Sequence, residues 1–256
     1  MNISEISFQL YTARQFQPYR DIFEFLSSNK IKNVELFSLA DFDEVYLKDL
    51  LQEFNLTSVS AHVSFESIDN FESILNKIKY LDIKHVIIPA PKVIPGKEFE
   101  DYFNISENEW INFAREISNK IKLFNDNGLS LGYHNHSFEF NALPSGKCPM
   151  EIILNENENL KFEIDIGWTT AGRANPIDWI NKYNSQIIAC HLKDFYLEEN
   201  MLDHDNQSSI GKGFINWRDI LSKIAQTPCE VIAIEHDNPK DYKEYVKESL
   251  NYLSNI

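Results

Sequence analysis

Eight short runs in which apolar and polar residues alternate one for one recur along the chain, and segments with helical periodicity lie between them. The runs begin near Glu5 (EISFQLY), Ile31 (IKNVELF), Leu56 (LTSVSAHV), Lys84 (KHVIIPA), Gly128 (GLSLGYHNH), Asn159 (NLKFEIDIG), Gln186 (QIIACHLKD) and Cys229 (CEVIAIEHD). Successive side chains of a strand point to opposite faces, so each run presents one apolar and one polar face. Between the runs, Trp110, Ala114, Ile117, Ile121 and Phe124 step by four, three, four and three, as one face of an amphipathic helix does. Tyr242, Tyr245, Val246, Ser249, Leu250 and Leu253 repeat the pattern near the end. Eight such alternations in about 250 residues have the size and rhythm of an α/β protein of the (β/α)8 barrel type. A single domain over residues 1–256 is expected, with a doubly wound sheet as the second option.

The alternation sorts the polar residues onto one face. In the fifth run Leu129, Leu131 and Tyr133 oppose Ser130, Gly132, His134 and His136. In the sixth, Phe162, Ile164 and Ile166 face helices while Glu163 and Asp165 face inward. Ile188, Cys190 and Leu192 oppose Ala189, His191 and Lys193; Ile232 and Ile234 oppose Ala233, Glu235 and Asp237. Earlier runs agree, with Gln9 and Tyr11, Glu35 and Phe37, and Ser58, Ser60 and His62 inward, and Val59, Ala61 and Val63 outward. Spacing between run starts is about 25 to 31 residues except after the fourth and seventh, where it is about 44. The surplus lies near Pro91–Asn104 and Phe195–Asn216, two candidate lids over the C-terminal face where such barrels keep their active sites.

Inward ionisable groups at so many strand ends are unfavourable unless they pair or bind a cation. His134, Asp165, His191 and Glu235 come from four consecutive runs at matched height and form a candidate ligand set for one divalent ion. Two imidazoles and two carboxylates suit Mn, Zn, Co or Fe better than Mg. Trp168, just past a strand, is open to sugar stacking or to simple packing. Glu139 reads as a solvated loop carboxylate, His85 and His204 as hydrogen-bonded core histidines, and Gly211-Lys212-Gly213 as a turn rather than a phosphate cradle.

At 43% hydrophobic residues the chain can bury a full core. No run approaches the roughly 18 apolar residues of a membrane span, and MNISEISFQL has no signal-peptide character, so a soluble, cytoplasmic protein is expected. Cys148, Cys190 and Cys229 are widely spaced and suggest neither a disulfide framework nor a thiolate metal knuckle. The net charge of −15 opposes binding to nucleic acid, and the 24 Lys and Arg residues are scattered rather than gathered into a membrane patch.

FQLYTAR, VELFS, SAHVS, GYHNHSFEF, EIDIGWTTAG, CHLKD, GKGFINW and AIEHD together resemble the xylose isomerase-like family of TIM-barrel sugar isomerases and epimerases, which includes inositol-catabolism proteins. The likeness spans nearly the whole chain. It implies one divalent ion held by residues of strands 5 to 8, the last three being Asp165, His191 and Glu235, and a proton-transferring role for glutamate. Many members carry Glu where this chain has His134; the His134-Asn135-His136 variant is similar to the branch that includes inosose dehydratases. Isomerisation, epimerisation and dehydration share a first step, removal of a proton next to a carbonyl to give an enediolate that a divalent ion can stabilise. Glu235 is then the candidate base and Lys193 or His136 the acid, with Glu35, His62, Gln9 and Trp168 placed to hold the sugar. A sugar isomerase/epimerase is the expected class and a dehydratase the second. A metal-dependent abasic-site endonuclease and a non-catalytic sugar-binding barrel are the remaining readings. The partner expected is a small sugar, unphosphorylated given the sparse arginines, with a homo-oligomer left open.

Overall fold

A computed structural model of the chain describes residues 5–91, 99–196 and 206–256. All eight runs form strands: β1 (Ile6–Gln9), β2 (Asn33–Glu35), β3 (Ser60–His62), β4 (His85–Ile88), β5 (Ser130–His134), β6 (Lys161–Asp165), β7 (Ile187–Leu192) and, after a short antiparallel pair β8 (Asp194–Phe195) and β9 (Gln207–Ser208), β10 (Val231–Ile234). The eight main strands run parallel in the order β2-β1-β10-β7-β6-β5-β4-β3. Parallel bridges from Asn33 to Thr57 and from Leu36 to Ala61 bring the two ends of the sheet together, so the sheet curls into a nearly closed barrel.

Helices pack outside because each crossover between parallel strands returns through one. The longest, Glu107–Asp126, starts with a capping box between Ser106 and Glu109 and buries Trp110, Ala114, Ile117, Ile121 and Phe124 against the sheet. The last, Tyr242–Leu253, buries the six residues its periodicity marks. Cys148, Cys190 and Cys229 are free thiols. His85 is a structural histidine near the N-terminal end of the strands, bonded to Ser130 Oγ at 2.6 Å and to Glu230 at 3.3 Å. His204 lies outside the described residues.

The barrel interior is layered. Its lower part is a plug of Ile87, Ile188, Ala189, Val231 and Ala233, with Val59 against it. Two of these residues depart from strict alternation, which puts Ile188 and Val59 outside. Ile188 is the extra residue of a bulge: Phe162 pairs with Ile187 and Glu163 already with Ala189, so Ile188 is left over and turns inward. Val59 precedes β3, and its carbonyl accepts from both Lys84 and His85 amides, so the pleat has not begun there.

Gly132 on β5 faces this plug, and a Cβ built on it would lie 2.6 Å from Ile87 Cδ1. The missing side chain is the space that Ile87 fills. Gly132→Ala should therefore cost about 1–3 kcal/mol as an overpacking change. Combined with Ile87→Val, which removes Cδ1, the double variant should lose less than the sum of the two single losses in urea denaturation. Additive losses would show that this contact is not what excludes a side chain at 132.

Candidate active site

The register of neighbouring strands sets inward residues side by side. Gln9 lies beside Glu35, His134 beside Glu163, and Asp165 beside His191. Each pair of neighbours faces the same way, so strand alternation and register together build a polar layer above the apolar plug.

Hydrogen bonds knit the layer. Gln9 Nε2 donates to Glu35 Oε2 at 3.0 Å, and His191 Nε2 bonds the same oxygen. Glu163 Oε2 lies 2.6 Å from His62 Nε2 and 3.0 Å from His134 Nδ1. Higher up, His191 Nδ1 is 2.9 Å from Glu235 Oε2, and Lys193 Nζ meets Asp237 at 2.7 Å, Glu235 at 3.0 Å and Asp165 at 3.4 Å. Donor atoms of His134, Asp165, His191 and Glu235, the set marked in the sequence, all lie within 4.8 Å of one another. A second group at the same spacing is His62, His134, Glu163 and His191.

Burial and charge compete at every member. Burial opposes the Lys193 ammonium, but Asp165, Asp237 and Glu235 outweigh it and hold the lysine well above its usual range. His191 is likewise raised well above its ordinary value, burial being overcome by Glu163, Glu35 and Glu235. Glu235 is held below the usual carboxylate range because Lys193 and His191 outweigh its burial. Burial lowers His134 to about 4 and His136 well below its ordinary value, so both are neutral imidazoles near pH 7. Asp165 is pushed up to about 7 by burial, against the pull of Lys193.

The donor set fits a divalent cation. Of five buried carboxylates, Asp165, Glu235 and Asp237 meet Lys193, while Glu35 and Glu163 meet imidazoles, of which His191 is held charged. Asp165 Oδ2, fully buried, has no hydrogen-bond partner among the described residues. A neutral His134 with Asp165, His191 and Glu235 offers the mixed nitrogen and oxygen donors that first-row divalent ions favour.

These groups open into a cavity of about 240 Å³ whose polar side is His62, His134, His136, Lys193, Glu235 and Asp237. Tyr11 and Phe37, edge to face at 5.6 Å, line the other side. They are the aromatic wall that Trp168 was a candidate for. Trp168 is completely buried, under Lys193 Nζ at 4.9 Å and against Phe195, and does not line the cavity. Gln9 and Glu35 are also fully buried and do not line it: Gln9 Nε2 bonds Glu35, whose Oε2 bonds His191. His136 lines the cavity as a neutral imidazole, which carries one N–H and one acceptor nitrogen. A larger cleft of about 410 Å³ beside Tyr196 and Glu248 holds neither histidine–carboxylate group.

Three features went unmarked as site residues in the sequence. Glu163 is the acceptor at the centre of the lower layer, and its inward parity was the available signal. Asp237 anchors Lys193, again from an inward position. Asp194 is hidden by its outward parity, yet its carboxylate accepts from the amides of Phe195, Gly211, Gly213 and Ile215 and from Trp217 Nε1. The Gly211-Lys212-Gly213 loop thus cradles an anion, the protein's own, while Lys212 pairs with Glu248. A side chain at Gly213 would collide with Asp194. Of the two candidate lids, residues 92–98 and 197–205 lie outside the described residues.

Glu139 is not solvated. It is fully buried, accepting from Tyr133 Oη at 2.7 Å and from the His136 amide at 2.8 Å, and burial pushes its carboxyl up from 4.5 to about 8. The folded protein then keeps a proton that the unfolded chain releases, so this group's contribution to stability falls as pH rises from about 4.5 to about 8. The urea midpoint of Glu139→Gln, compared with that of the parent chain, should therefore shift in the variant's favour between pH 5 and pH 8. A constant difference over that range would refute a raised carboxyl.

Comparison with known proteins agrees with this architecture. A family model described as xylose isomerase-like TIM barrel matches residues 14–256. No curated protein sequence matches the chain. Among solved structures, a sugar phosphate isomerase/epimerase from Parabacteroides distasonis is similar with a TM-score of 0.79 at 18% identity, over 98% of this chain and 98% of that one. The probable 3-DHS dehydratase AsbF of Bacillus anthracis gives 0.74 at 14% identity over 97% and 98%. The IolI protein with a bound zinc atom gives 0.75 at 15% identity over 98% and 96%. At these identities the structural likeness is one of fold, and the family match covers all but the first strand. The chain belongs to the xylose isomerase-like TIM barrel family.

Proposed function

We propose that the chain is a sugar isomerase/epimerase that removes a proton next to the carbonyl of a keto- or aldo-sugar. The observation that carries this reading is the contact, at 3.0 Å on the cavity wall, between Glu235 Oε2 and Lys193 Nζ. The carboxylate is held ionised and the ammonium charged, so an acceptor for the carbon-bound proton and a donor for the carbonyl oxygen stand side by side. A buried ammonium at that oxygen stabilises the negative charge that develops as the proton leaves. His136, neutral and on the same cavity, is a second acceptor.

A divalent ion held by His134, Asp165, His191 and Glu235 would add Lewis-acid polarisation of the sugar's oxygens, with Mn, Zn, Co or Fe matching the donors. The cavity is smaller than the roughly 300–1,000 Å³ of drug-sized pockets, which suits a monosaccharide. Lys193, the cavity's one described Lys or Arg, is engaged by three carboxylates, which favours an unphosphorylated sugar. Nucleic acid and membrane have no part in this reading. The net charge is −15, and no helix among the described residues is long and apolar enough to cross a membrane.

Dehydration of a keto-sugar or keto-inositol is the second reading, favoured by the two imidazoles, His134 and His136, on the cavity wall. It shares the proton abstraction and differs in expelling a β-hydroxyl.

A panel of keto-sugars in D2O tests the proposal by NMR. The parent chain should exchange one carbon-bound proton of its substrate, and Glu235→Gln should slow this by roughly 10²–10⁴-fold. Undiminished exchange would remove Glu235 as the base, and a product lighter by one water would move the assignment to the dehydratase. Plasma mass spectrometry should find about one metal per chain, lost in Asp165→Ala.

A further inference from the structure

Each imidazole shared by the two histidine–carboxylate groups has one nitrogen in the upper set and one in the lower. His134 turns Nδ1 to Glu163 Oε2 at 3.0 Å, and Nε2 towards Asp165 Oδ2 at 4.0 Å. His191 turns Nε2 to Glu35 and Glu163, and Nδ1 to Glu235 at 2.9 Å. We infer that Glu163 and Glu35 are positioning residues: each holds the lower nitrogen of one imidazole as an N–H donor, so that the upper nitrogen of His134, and that of His191 once an ion displaces its proton, turns a lone pair to the cation at the cavity floor. The inference rests on the ion of the preceding section and says which atoms of this chain orient its ligands.

A neutral imidazole carries one N–H, and the partner of that N–H fixes which nitrogen remains free. Histidine ligands in metal sites are commonly held this way by a carboxylate behind them. Here both carboxylates are fully buried and neither lines the cavity, so they act through the histidines rather than on a substrate. Each is itself fixed. Gln9 Nε2 holds Glu35 at 3.0 Å, while His62 holds Glu163 at 2.6 Å and stacks on His191, ring centroids 5.4 Å apart and planes 10° from parallel. The upper set is the better place for an ion. His134 and Glu235 line the cavity through which one enters, and Asp165 Oδ2 is a buried oxygen without a hydrogen bond. In the lower set Glu163 Oε2 already receives three imidazole nitrogens within 3.3 Å.

Zinc alone, added to chelator-stripped protein, tests the assignment. In the zinc-loaded parent chain, ¹⁵N NMR of the histidine rings should show His134 bound through Nε2 and protonated at Nδ1, and His191 bound through Nδ1 and protonated at Nε2. The opposite pattern at either ring would overturn the inference without recourse to any variant. In competition with a chelating dye, Glu163→Gln and Glu35→Gln should each keep one zinc per chain with affinity reduced by roughly 10–100-fold, while Asp165→Asn loses stoichiometric binding. Melting of the stripped proteins establishes that each variant is folded. Unchanged affinity in both glutamine variants would overturn the positioning role. Loss of zinc in Glu163→Gln and His62→Ala with retention in Asp165→Asn would place the ion in the lower set and overturn it too. A parent chain that binds no zinc, manganese, cobalt or iron would instead defeat the metal reading of the preceding section, and this inference with it.

Discussion

The upper barrel depends on one ammonium. Lys193 Nζ lies within 3.4 Å of Asp165, Glu235 and Asp237 and over the Trp168 ring at 4.9 Å. Buried carboxylates repel one another strongly where water cannot screen them, and removing the partner of a buried charge is far more damaging than removing an exposed pair. Lys193 is thus what allows three acidic strand ends to be buried side by side. It also keeps Glu235 ionised next to a donor, which is the chemical capacity that the proposed function uses.

Much of this architecture can be read in the sequence because strand periodicity is a strong constraint. One residue in two must face the core, and a barrel built from eight such strands collects the others at its axis. His134, Asp165, His191 and Glu235 were legible on that basis, and their donor atoms do converge. Parity specifies a face, however, and not a depth or a partner. Glu35 and Gln9 face inward as expected, yet neither lines the cavity: Glu35 bonds His191 and Gln9 bonds Glu35. Trp168 could be placed just past a strand but not beneath Lys193, because that position depends on how the short helix Ile166–Ala171 turns after Asp165 caps it. Ile188 shows a different limit. A one-residue bulge reverses the parity locally, and nothing in the alternation announces it.

The fold alone leaves the reaction open. Structures of similar shape include a protein described as an isomerase/epimerase and one described as a probable dehydratase. A barrel positions groups at strand ends, and which chemistry follows depends on those groups. In this chain those groups on the cavity wall are His62, His134, His136, Lys193, Glu235 and Asp237.

Asp194 has a mechanical consequence. It follows Lys193 directly, and its carboxylate ties the end of that strand to the amides of Gly211, Gly213 and Ile215 and to the indole of Trp217. Pairing of β8 with β9 closes the same span a second time. Lys193, one residue before this clamp, is therefore fixed through the backbone of its strand as well as through its three carboxylates.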